Sequence, residues 1–167
     1  MPLQEIDPAS LKDNMIKLIG TDWMLITAGT ADNLNTMTAA WGGLGFLWNK
    51  PVAIIYIRTQ RYTIEFVERA SHFSLSFLSE YYRDILTYCG TTSGREVDKI
   101  KESGLQPAFT DSGTPYFNEA RLVMECKKLY ADLIREENFI DQKMLKHYTK
   151  KDYHKFYIGE IIHTFIG

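Results

Sequence analysis

The stretch Asn35-Thr36-Met37-Thr38-Ala39-Ala40-Trp41-Gly42 is small, polar and rich in alanine, and it lies between two runs typical of buried β-strands. The upstream run is Trp23 to Ala28, and the downstream run is Val52 to Ile57. A strand segment of small residues lets a ligand approach the backbone N–H and C=O groups, because few side chains stand in the way. The stretch therefore indicates a strand edge that can line a flat ring.

The residues of this stretch differ in what they can offer a heterocycle. The amide and the hydroxyls can hydrogen-bond its polar edge, the alanines leave room for its plane, and the larger apolar side chains can flank it. The polar groups belong to Asn35, Thr36 and Thr38, and the small side chains to Ala39 and Ala40. The larger apolar side chains are those of Met37 and Trp41. An alternative interpretation of the same pattern is a plain strand with threonines outside and a buried tryptophan.

A second segment, Arg58-Thr59-Gln60-Arg61-Tyr62-Thr63, follows the downstream run and opens a helix predicted over 62–69. Thr63 is a favourable N-cap residue, and the free N–H groups of a first helical turn favour phosphate. Arg58 and Arg61 can each add a charge-assisted contact to an anion. The alternative is a solvated pair of surface arginines beside an ordinary helix cap. Together, the two segments suggest a mononucleotide-like cofactor.

The order of predicted elements favours a mainly β fold. A regular alternation of strands with long helices is missing, which argues against a doubly wound parallel sheet. A closed or split antiparallel β-barrel, Greek-key-like and with peripheral helices, fits best. The predicted elements are a helix over 8–19, strands over 23–30, 35–46, 52–58, 72–78, 121–135 and 154–166, and short helices over 62–69, 81–88 and 95–103. Residues 90–94 and 105–118 are expected to be loops, and 141–149 a helical turn or a covering loop.

Composition excludes several classes of function. The 167 residues fit one domain, 1–167, and the net charge of −2 gives no electrostatic reason to expect a nucleic acid or an anionic membrane. No secretory signal is visible, and no apolar run approaches the about 20 residues that span a bilayer. The two cysteines, Cys89 and Cys126, make no disulfide framework, so a cytoplasmic location is expected.

Other candidate groups carry weaker signals. The histidines His72, His147, His154 and His163 show no ligand spacing for zinc, so no metal site is predicted. Cys89 has no adjacent base, which favours a packed or cofactor-contacting thiol over a nucleophile. The basic, aromatic run from Lys146 to His154 is interpreted as a solvated loop.

Four stretches, in this order, resemble the flavin reductase-like family, whose fold is the FMN-binding split barrel, and its flavoredoxin-type branch in particular. The resemblance covers nearly the whole chain, from about Asp22 to Gly159. The stretches are the Asn-x-Met-Thr-small-small-Trp segment at 35–41, the Arg-Tyr-Thr turn at 61–63 within 58–63, the Ser-Gly-Arg-x-x-Asp-Lys loop at 93–99 within 89–99, and the His-x-x-x-Ile-Gly-Glu strand at 154–160. One departure is that Asp152-Tyr153 precedes the histidine, where many flavin reductases have Gly-Asp.

The resemblance implies a homodimer with FMN near the subunit interface. Residues 35–41 would line the isoalloxazine ring, and Arg58, Gln60, Tyr62 and Thr63 would hold the ribityl chain and phosphate. The turn at Cys89 and Gly90, with Ser93 and Lys99, would close over the cofactor. His154 stands where the family's nicotinamide-handling histidine often lies.

The reaction implied is hydride transfer from NADH or NADPH to flavin N5, followed by electron transfer to a small-molecule or protein acceptor. The flavin carries this chemistry, so no acid, base or nucleophile is required for the hydride step, and no catalytic residue beyond a nicotinamide contact at His154 is assigned. The alternative function is an FMN-containing electron carrier without a nicotinamide substrate of its own. A module that holds flavin without turnover is a third hypothesis.

Overall fold

A computed structural model describes residues 2–167 of the chain, which form one large antiparallel sheet with short helices around it. The strands are β1 (Gln4–Glu5), β2 (Met24–Gly29), β3 (Leu34–Ala39), β4 (Gly42–Leu47), β5 (Lys50–Arg58), β6 (His72–Leu78), β7 (Pro107–Phe109), β8 (Pro115–Phe117), β9 (Ala120–Leu133) and β10 (His154–Ile166). The α-helices are α1 (Met15–Lys17), α2 (Thr63–Arg69), α3 (Arg83–Thr91) and α4 (Lys99–Ser103). Shorter 3₁₀ turns lie at Pro8–Ser10, Glu80–Tyr82, Glu136–Asn138 and Gln142–Tyr148, and a π-helical turn at Leu18–Asp22.

The two edge strands of the large sheet meet at one corner. Its strand order is β3-β2-β6-β9-β10-β5-β4, and β1 adds to β10. The strands at the two ends of this path, β3 and β4, are separated in the chain only by Ala40 and Trp41. Two residues span only a short distance, so the two edges must lie close together. This arrangement confirms the predicted mainly β barrel with peripheral helices.

Gly42 permits this corner of the barrel. A Cβ atom at this position would stand 2.9 Å from the carbonyl oxygen of Ile54 and 3.0 Å from the side chain of Met24. A larger residue would push the strands apart, so glycine lets β4 leave the link and pair with β5.

Two apolar clusters hold the barrel and the helices. The main core fills the barrel with side chains such as Ile26, Ile55 and Phe73. A smaller cluster, which includes Leu25, Leu86 and Cys89, packs α3 against the outside of the sheet. The smaller cluster fixes the last turn of α3, which borders the candidate site described below.

Several predicted elements need correction. The helix predicted over 8–19 is a series of short turns, because Asn14 is extended and its side chain accepts a hydrogen bond from the Lys17 N–H, which starts a new helix. The strand predicted over 35–46 breaks at the corner between β3 and β4. The helix predicted over 95–103 begins only at Lys99, after Asp98 caps it. Gly90, expected in a loop, lies in the last turn of α3.

The strand predicted over 72–78 has the expected bounds, but it is buried on both faces. Phe73, Leu75 and Phe77 face the main core, as expected from their spacing. Ser74 and Ser76, expected to face solvent, are also fully buried. The hydroxyl of Ser74 donates a hydrogen bond of 2.5 Å to the carbonyl oxygen of Pro115, because β8 covers this face.

No helix within residues 2–167 combines the length and the apolar character needed to cross a bilayer.

Candidate functional site

A groove runs from the barrel corner to the end of α3, and its first part is the ring end. This cavity of about 190 Å³ is lined by residues 37–41, Tyr56, Arg58, Arg61 and His154. The link between β3 and β4 forms one wall, while β5 and β10 supply the others. Trp41 is 48% exposed, so the alternative of a buried tryptophan is wrong.

His154 begins β10 and is 6% exposed. Its Nδ1 atom lies 2.7 Å from the hydroxyl of Tyr148, and its ring centroid is 5.3 Å from that of Trp41. Burial, with a further contribution from the nearby charge of Arg58, lowers the pKa of His154 to about 4. The imidazole is therefore neutral at pH 7, and its orientation is held by Tyr148.

Arg58 holds the segment that covers His154. Its guanidinium donates hydrogen bonds to the carbonyl oxygens of His147 (3.0 Å) and Asp152 (3.2 Å), and it lies 3.1 Å from the Asp152 carboxylate. The same group stands 5.1 Å from the ring centroid of Tyr148. These contacts place Arg58 at the ring end, as a brace for residues 147–154, and not among the phosphate-end groups where the sequence predicted it.

The covering segment differs from the solvated loop predicted for residues 146–154. Its lysines are exposed, but two of its own residues, Tyr148 and His154, are buried. Asp152, which stands in the position of the family's usual glycine, binds both Arg58 and the amide of Gln60. The departure from the family pattern thus has a structural role, because Asp152 fastens the segment to the end of β5.

The second part of the groove is the tail end, a cavity of about 130 Å³. Residues from four parts of the chain meet there: Asn35, residues 60–63, residues 91–94 and Lys99. The tail end joins the ring end at Arg61, which lines both cavities. The structure therefore places the two predicted segments around two adjoining cavities.

Two cations face the tail end without a carboxylate partner. Lys99 is only 3% exposed, and its ammonium donates to the carbonyl oxygens of Cys89 (3.1 Å) and Thr92 (3.0 Å). The half-buried Arg61 donates to the carbonyl oxygen of Gly90 (2.9 Å). Within residues 2–167 no carboxylate oxygen lies within 4.0 Å of either charged group, unlike Arg58 and Arg95. Buried charge is costly unless it is paired, so this end favours an anion.

Burial changes the acidity of both cations. It lowers the pKa of the Arg61 guanidinium and lowers that of the Lys99 ammonium to about 8. Burial also raises the pKa of the Cys89 thiol, whose side chain packs in the smaller apolar cluster. Cys89 therefore contributes its backbone carbonyl near the site, and its thiol is held in the protonated form.

The start of α2 differs from the predicted N-cap. Thr63 is the first helical residue, and its hydroxyl accepts a hydrogen bond of 2.9 Å from the Asn35 amide. The N–H groups of Ile64 and Glu65 already bind the carbonyl oxygens of Arg61 and Tyr62. The case for a bound anion therefore depends on the two cations. The N-terminus of α2 offers fewer free N–H groups to an anion than the sequence predicted.

Some predicted residues have other partners. The Thr36 hydroxyl is buried and bonds to Thr27 and to the carbonyl oxygen of Ile26, so it serves the β2–β3 pair. Thr38 donates to the carbonyl oxygen of Leu86, which ties β3 to α3, and its side chain leaves no room for a Cβ atom at Gly90 without a contact of 3.2 Å. Ser93 lines the tail end.

Two residues without a predicted role, Tyr148 and Gly94, belong to the site. No sequence motif singles out Tyr148, because its partner His154 lies in the next structural element, β10. Gly94 stands within the quoted Ser-Gly-Arg stretch, which was the signal that could have singled it out. A Cβ atom at Gly94 would stand 2.3 Å from Oδ1 of Asn35 and 3.1 Å from the Tyr62 ring.

Replacing Gly94 by alanine is expected to weaken binding of FMN, the ligand that the family resemblance implies, at least about 10-fold, because Asn35 must move and its bond to Thr63 is lost. Calorimetric titration with FMN measures the effect. The matched control is Gly43→Ala, since an added Cβ at Gly43 meets no atom within 4 Å. Equal FMN affinity in both variants would contradict the assignment of Gly94 to the wall of the groove.

Known structures share this fold. A flavoredoxin from Methanosarcina acetivorans is 21% identical with a TM-score of 0.68, and the alignment covers 97% of this chain and 74% of that chain. An FMN-binding protein from Thermus thermophilus with bound p-hydroxybenzaldehyde is 19% identical with a TM-score of 0.69, covering 97% and 82%. An NADH:FAD oxidoreductase from Streptomyces globisporus C-1027, in complex with NAD and FAD fragments, is 16% identical with a TM-score of 0.66, covering 88% and 76%.

No curated protein sequence matches the chain. The model of the flavin reductase like domain family, in contrast, matches residues 16–166, which is most of the chain and includes both parts of the groove. The resemblance stated from four short stretches is thereby confirmed: the chain belongs to the flavin reductase-like domain family.

Proposed function

We propose that the protein is an FMN-binding oxidoreductase that takes a hydride from NADH or NADPH and passes electrons to an acceptor. The observation that carries this proposal is the pair of cations, Arg61 and Lys99, at the tail end of a groove whose other end is aromatic. A phosphate would neutralise the cations, and the ring end offers the flat, small-residue wall that an isoalloxazine requires.

The residues present fit FMN. Arg61, Lys99 and the hydroxyls of Thr63 and Ser93 would hold the phosphate, because all of them line the tail end. Residues 37–41 would line the ring, with Tyr56 and His154 opposite. The chemistry that bound FMN supplies is hydride acceptance from a nicotinamide and onward electron transfer. The chain's own residues would bind the flavin, orient it and shield it from solvent.

His154 is proposed as the nicotinamide contact. Its imidazole is neutral at pH 7, so it does not repel the positive charge that a nicotinamide ring gains when it gives up a hydride. Its Nδ1 atom is bound to Tyr148, which leaves Nε2 as the polar atom free for a ligand. The covering segment shields the imidazole from solvent, since His154 is only 6% exposed.

Mixing the FMN-loaded protein with NADH or NADPH without oxygen tests the proposal. Bleaching of the flavin absorbance within seconds, by either nucleotide, is the expected result. Reduction that occurs only with a partner protein would show the electron carrier instead. A protein that takes up no FMN would contradict the proposal as a whole.

Replacing Tyr148 by phenylalanine is expected to slow flavin reduction by NADH about 10-fold and to leave FMN affinity unchanged. The variant loses the 2.7 Å contact to Nδ1, so the His154 ring can rotate or change tautomer. Stopped-flow absorbance measures the rate, and nitrogen NMR of the imidazole reports the tautomer. The control is Tyr153→Phe, whose hydroxyl binds the exposed Glu136 at 2.9 Å. A normal rate with an altered tautomer would contradict the role of His154.

A homodimer with FMN near the interface is also proposed. A row of aromatic rings starts at Tyr56 in the ring end and continues through Phe156 and Tyr130 to Trp48, with centroids 6.1 to 6.4 Å apart. Trp48, in the turn after β4, is 54% exposed, and Phe46, on β4, is 72% exposed. Apolar surface of this kind is typical of an interface. Light scattering of the eluted protein should give twice the chain mass, and Trp48→Lys should give the monomer; a monomeric wild type would contradict the proposal.

A cytoplasmic location is proposed as well. Cys89 and Cys126 are both buried free thiols, the state expected in a reducing compartment. Fractionation of cells that express the protein tests this proposal.

A further inference from the structure

The covering segment, with the 3₁₀ turn that leads into it, carries a group of cations. From residue 142 to residue 151 the chain has four lysines and no carboxylate, in a protein whose net charge is −2. Lys143, Lys146, Lys150 and Lys151, here named the basic face, are all exposed. We propose that the basic face docks an acidic protein that accepts single electrons from the reduced flavin. The inference rests on the proposed function and adds the docking surface and the charge of the partner.

Most of the basic face has no internal counter-charge. Lys151 is the one member with an ion pair among residues 2–167, and its ammonium lies 3.8 Å from the carboxylate of the exposed Glu136. By contrast, Lys17 and Lys50 bind carboxylates at 2.6 and 2.8 Å. An exposed cation that is not paired within its own chain can attract the negative charge of a partner.

Apolar side chains stand beside these cations. Ile140 is 101% exposed and Met144 is 39% exposed. The side chain of Gln142 donates a hydrogen bond of 2.8 Å to the carbonyl oxygen of Phe139, which holds the loop of Ile140 against the start of the 3₁₀ turn. One exposed apolar side chain is common in folded proteins, but a protein interface combines an apolar core with a polar rim. The exposed pair beside the lysines fits such an interface.

The basic face lies close to the ring end of the groove. His147, within the same segment, is exposed, and its ring centroid is 5.6 Å from that of Trp41, which lines the ring end. A partner seated on the face would be separated from a flavin in the ring end mainly by these two rings. An electron acceptor requires this closeness to the flavin.

The four lysines lie outside the groove itself. None of them lines the ring end or the tail end, whose cations are Arg58, Arg61 and Lys99. A nucleotide held in the groove would therefore leave the basic face uncovered. The position of the lysines favours a partner that stays on the outer surface.

An anionic bilayer is the other kind of surface that attracts a group of lysines. Three exposed carboxylates, those of Glu136, Glu137 and Asp141, stand in the chain just before the basic face. An anionic bilayer would repel these carboxylates, whereas a folded protein can present a cation to each of them. The mixture of charges therefore favours a protein partner.

The electron balance fixes the stoichiometry of the reaction. One NADH is oxidised to NAD⁺ and one proton, and two molecules of the acceptor protein each gain one electron. The basic face takes no part in this chemistry. Its lysines raise the rate of productive encounter by steering the acidic acceptor to the ring end.

Cytochrome c with succinylated lysines serves as the probe, because succinylation turns a basic one-electron acceptor into an acidic one with the same haem. The FMN-loaded protein, NADH and either form of cytochrome c are mixed without oxygen, and the haem absorbance gives the rate of reduction. At low salt we expect the acidic form to be reduced at least about 10-fold faster than the native form, and we expect added salt to remove this difference.

Reversal of charge tests the residues of the basic face. The double variant Lys146→Glu with Lys150→Glu should slow reduction of the acidic form at least about 10-fold, while bleaching of the flavin by NADH is unchanged. The matched control is Lys12→Glu with Lys127→Glu, two exposed lysines outside the face, with an expected change of no more than about 2-fold. Should the first variant fold poorly by circular dichroism, Lys146→Gln with Lys150→Gln gives the second test, with an expected loss of about 3-fold.

NMR measures docking without flavin or nicotinamide. Titration of the labelled full chain with the oxidised acidic form should shift the amide signals of residues 140–151, and the double variant should lose these shifts. If the wild type took up no FMN or was not bleached by NADH, the proposed function would be wrong, whereas absent NMR shifts would overturn the basic face alone.

Two further results would overturn the inference while the flavin site stands. The first is equal reduction of the two forms of cytochrome c, or an equal effect of the two charge-reversed double variants. The second is sedimentation of the wild type with vesicles of phosphatidylserine and phosphatidylcholine in equal parts, lost in Lys146→Glu with Lys150→Glu, without NMR shifts from the acidic protein. That result would assign the basic face to a lipid surface.

Discussion

Replacing Arg61 by glutamine is expected to weaken FMN binding by about 10- to 100-fold and to change riboflavin binding by no more than about 2-fold. The guanidinium faces the tail end without a carboxylate partner, so a phosphate would be its counter-charge. A hydrogen bond to a charged group contributes about 1.5–3 kcal/mol, which corresponds to that range. Riboflavin has the same ring and ribityl chain but no phosphate, so the comparison isolates the anion.

Calorimetric titration with the two ligands measures this effect. Arg69→Gln is the matched control, because Arg69 lies at the far end of α2 and bonds to the carbonyl oxygen of Glu65. An equal loss for FMN and riboflavin would show that Arg61 supports only the shape of the groove. Unchanged FMN affinity would remove Arg61 from the site.

The second large effect concerns pH and Lys99. Burial lowers the pKa of this ammonium to about 8 in the free protein, and a bound phosphate favours the charged form, so the pKa rises in the complex. Between those two pKa values the complex holds more protons than the free protein. FMN affinity is therefore expected to fall as the pH rises above about 8, by up to about 10-fold per pH unit.

Titrations with FMN from pH 7 to pH 9.5 check this expectation. Riboflavin serves as the ligand control, since it shares every ring titration with FMN and lacks the phosphate. Lys99→Met should bind FMN weakly at all pH values and lose the dependence. A wild-type FMN affinity that is flat across this range would show that Lys99 does not contact the anion.

Local patterns in the sequence predicted those parts of the fold that depend on neighbours in the chain. The alternation of Phe73, Leu75 and Phe77 placed β6, and the absence of long helices indicated the barrel. The helix predicted over 8–19 does not form as one element, because the Asn14 side chain binds the backbone N–H of Lys17. The spacing of apolar residues gives no information about such a side-chain hydrogen bond.

The candidate site was predictable where a segment carries its own chemistry. Asn35, residues 37–41 and residues 60–63 do line the two cavities of the groove, as their residue types indicated, whereas Thr36 is buried between β2 and β3. The position of Arg58 was not predictable, because its partners Asp152 and His147 are 94 and 89 residues away in the chain.

The location of FMN in a crystal of the complex tests the central claim most directly. We expect its ring along residues 37–41, with Tyr56 and His154 opposite, and its phosphate within hydrogen-bond distance of the Arg61 guanidinium and the Lys99 ammonium. A flavin bound in the reverse orientation, or bound elsewhere on the barrel with both cations facing only water, would contradict the account.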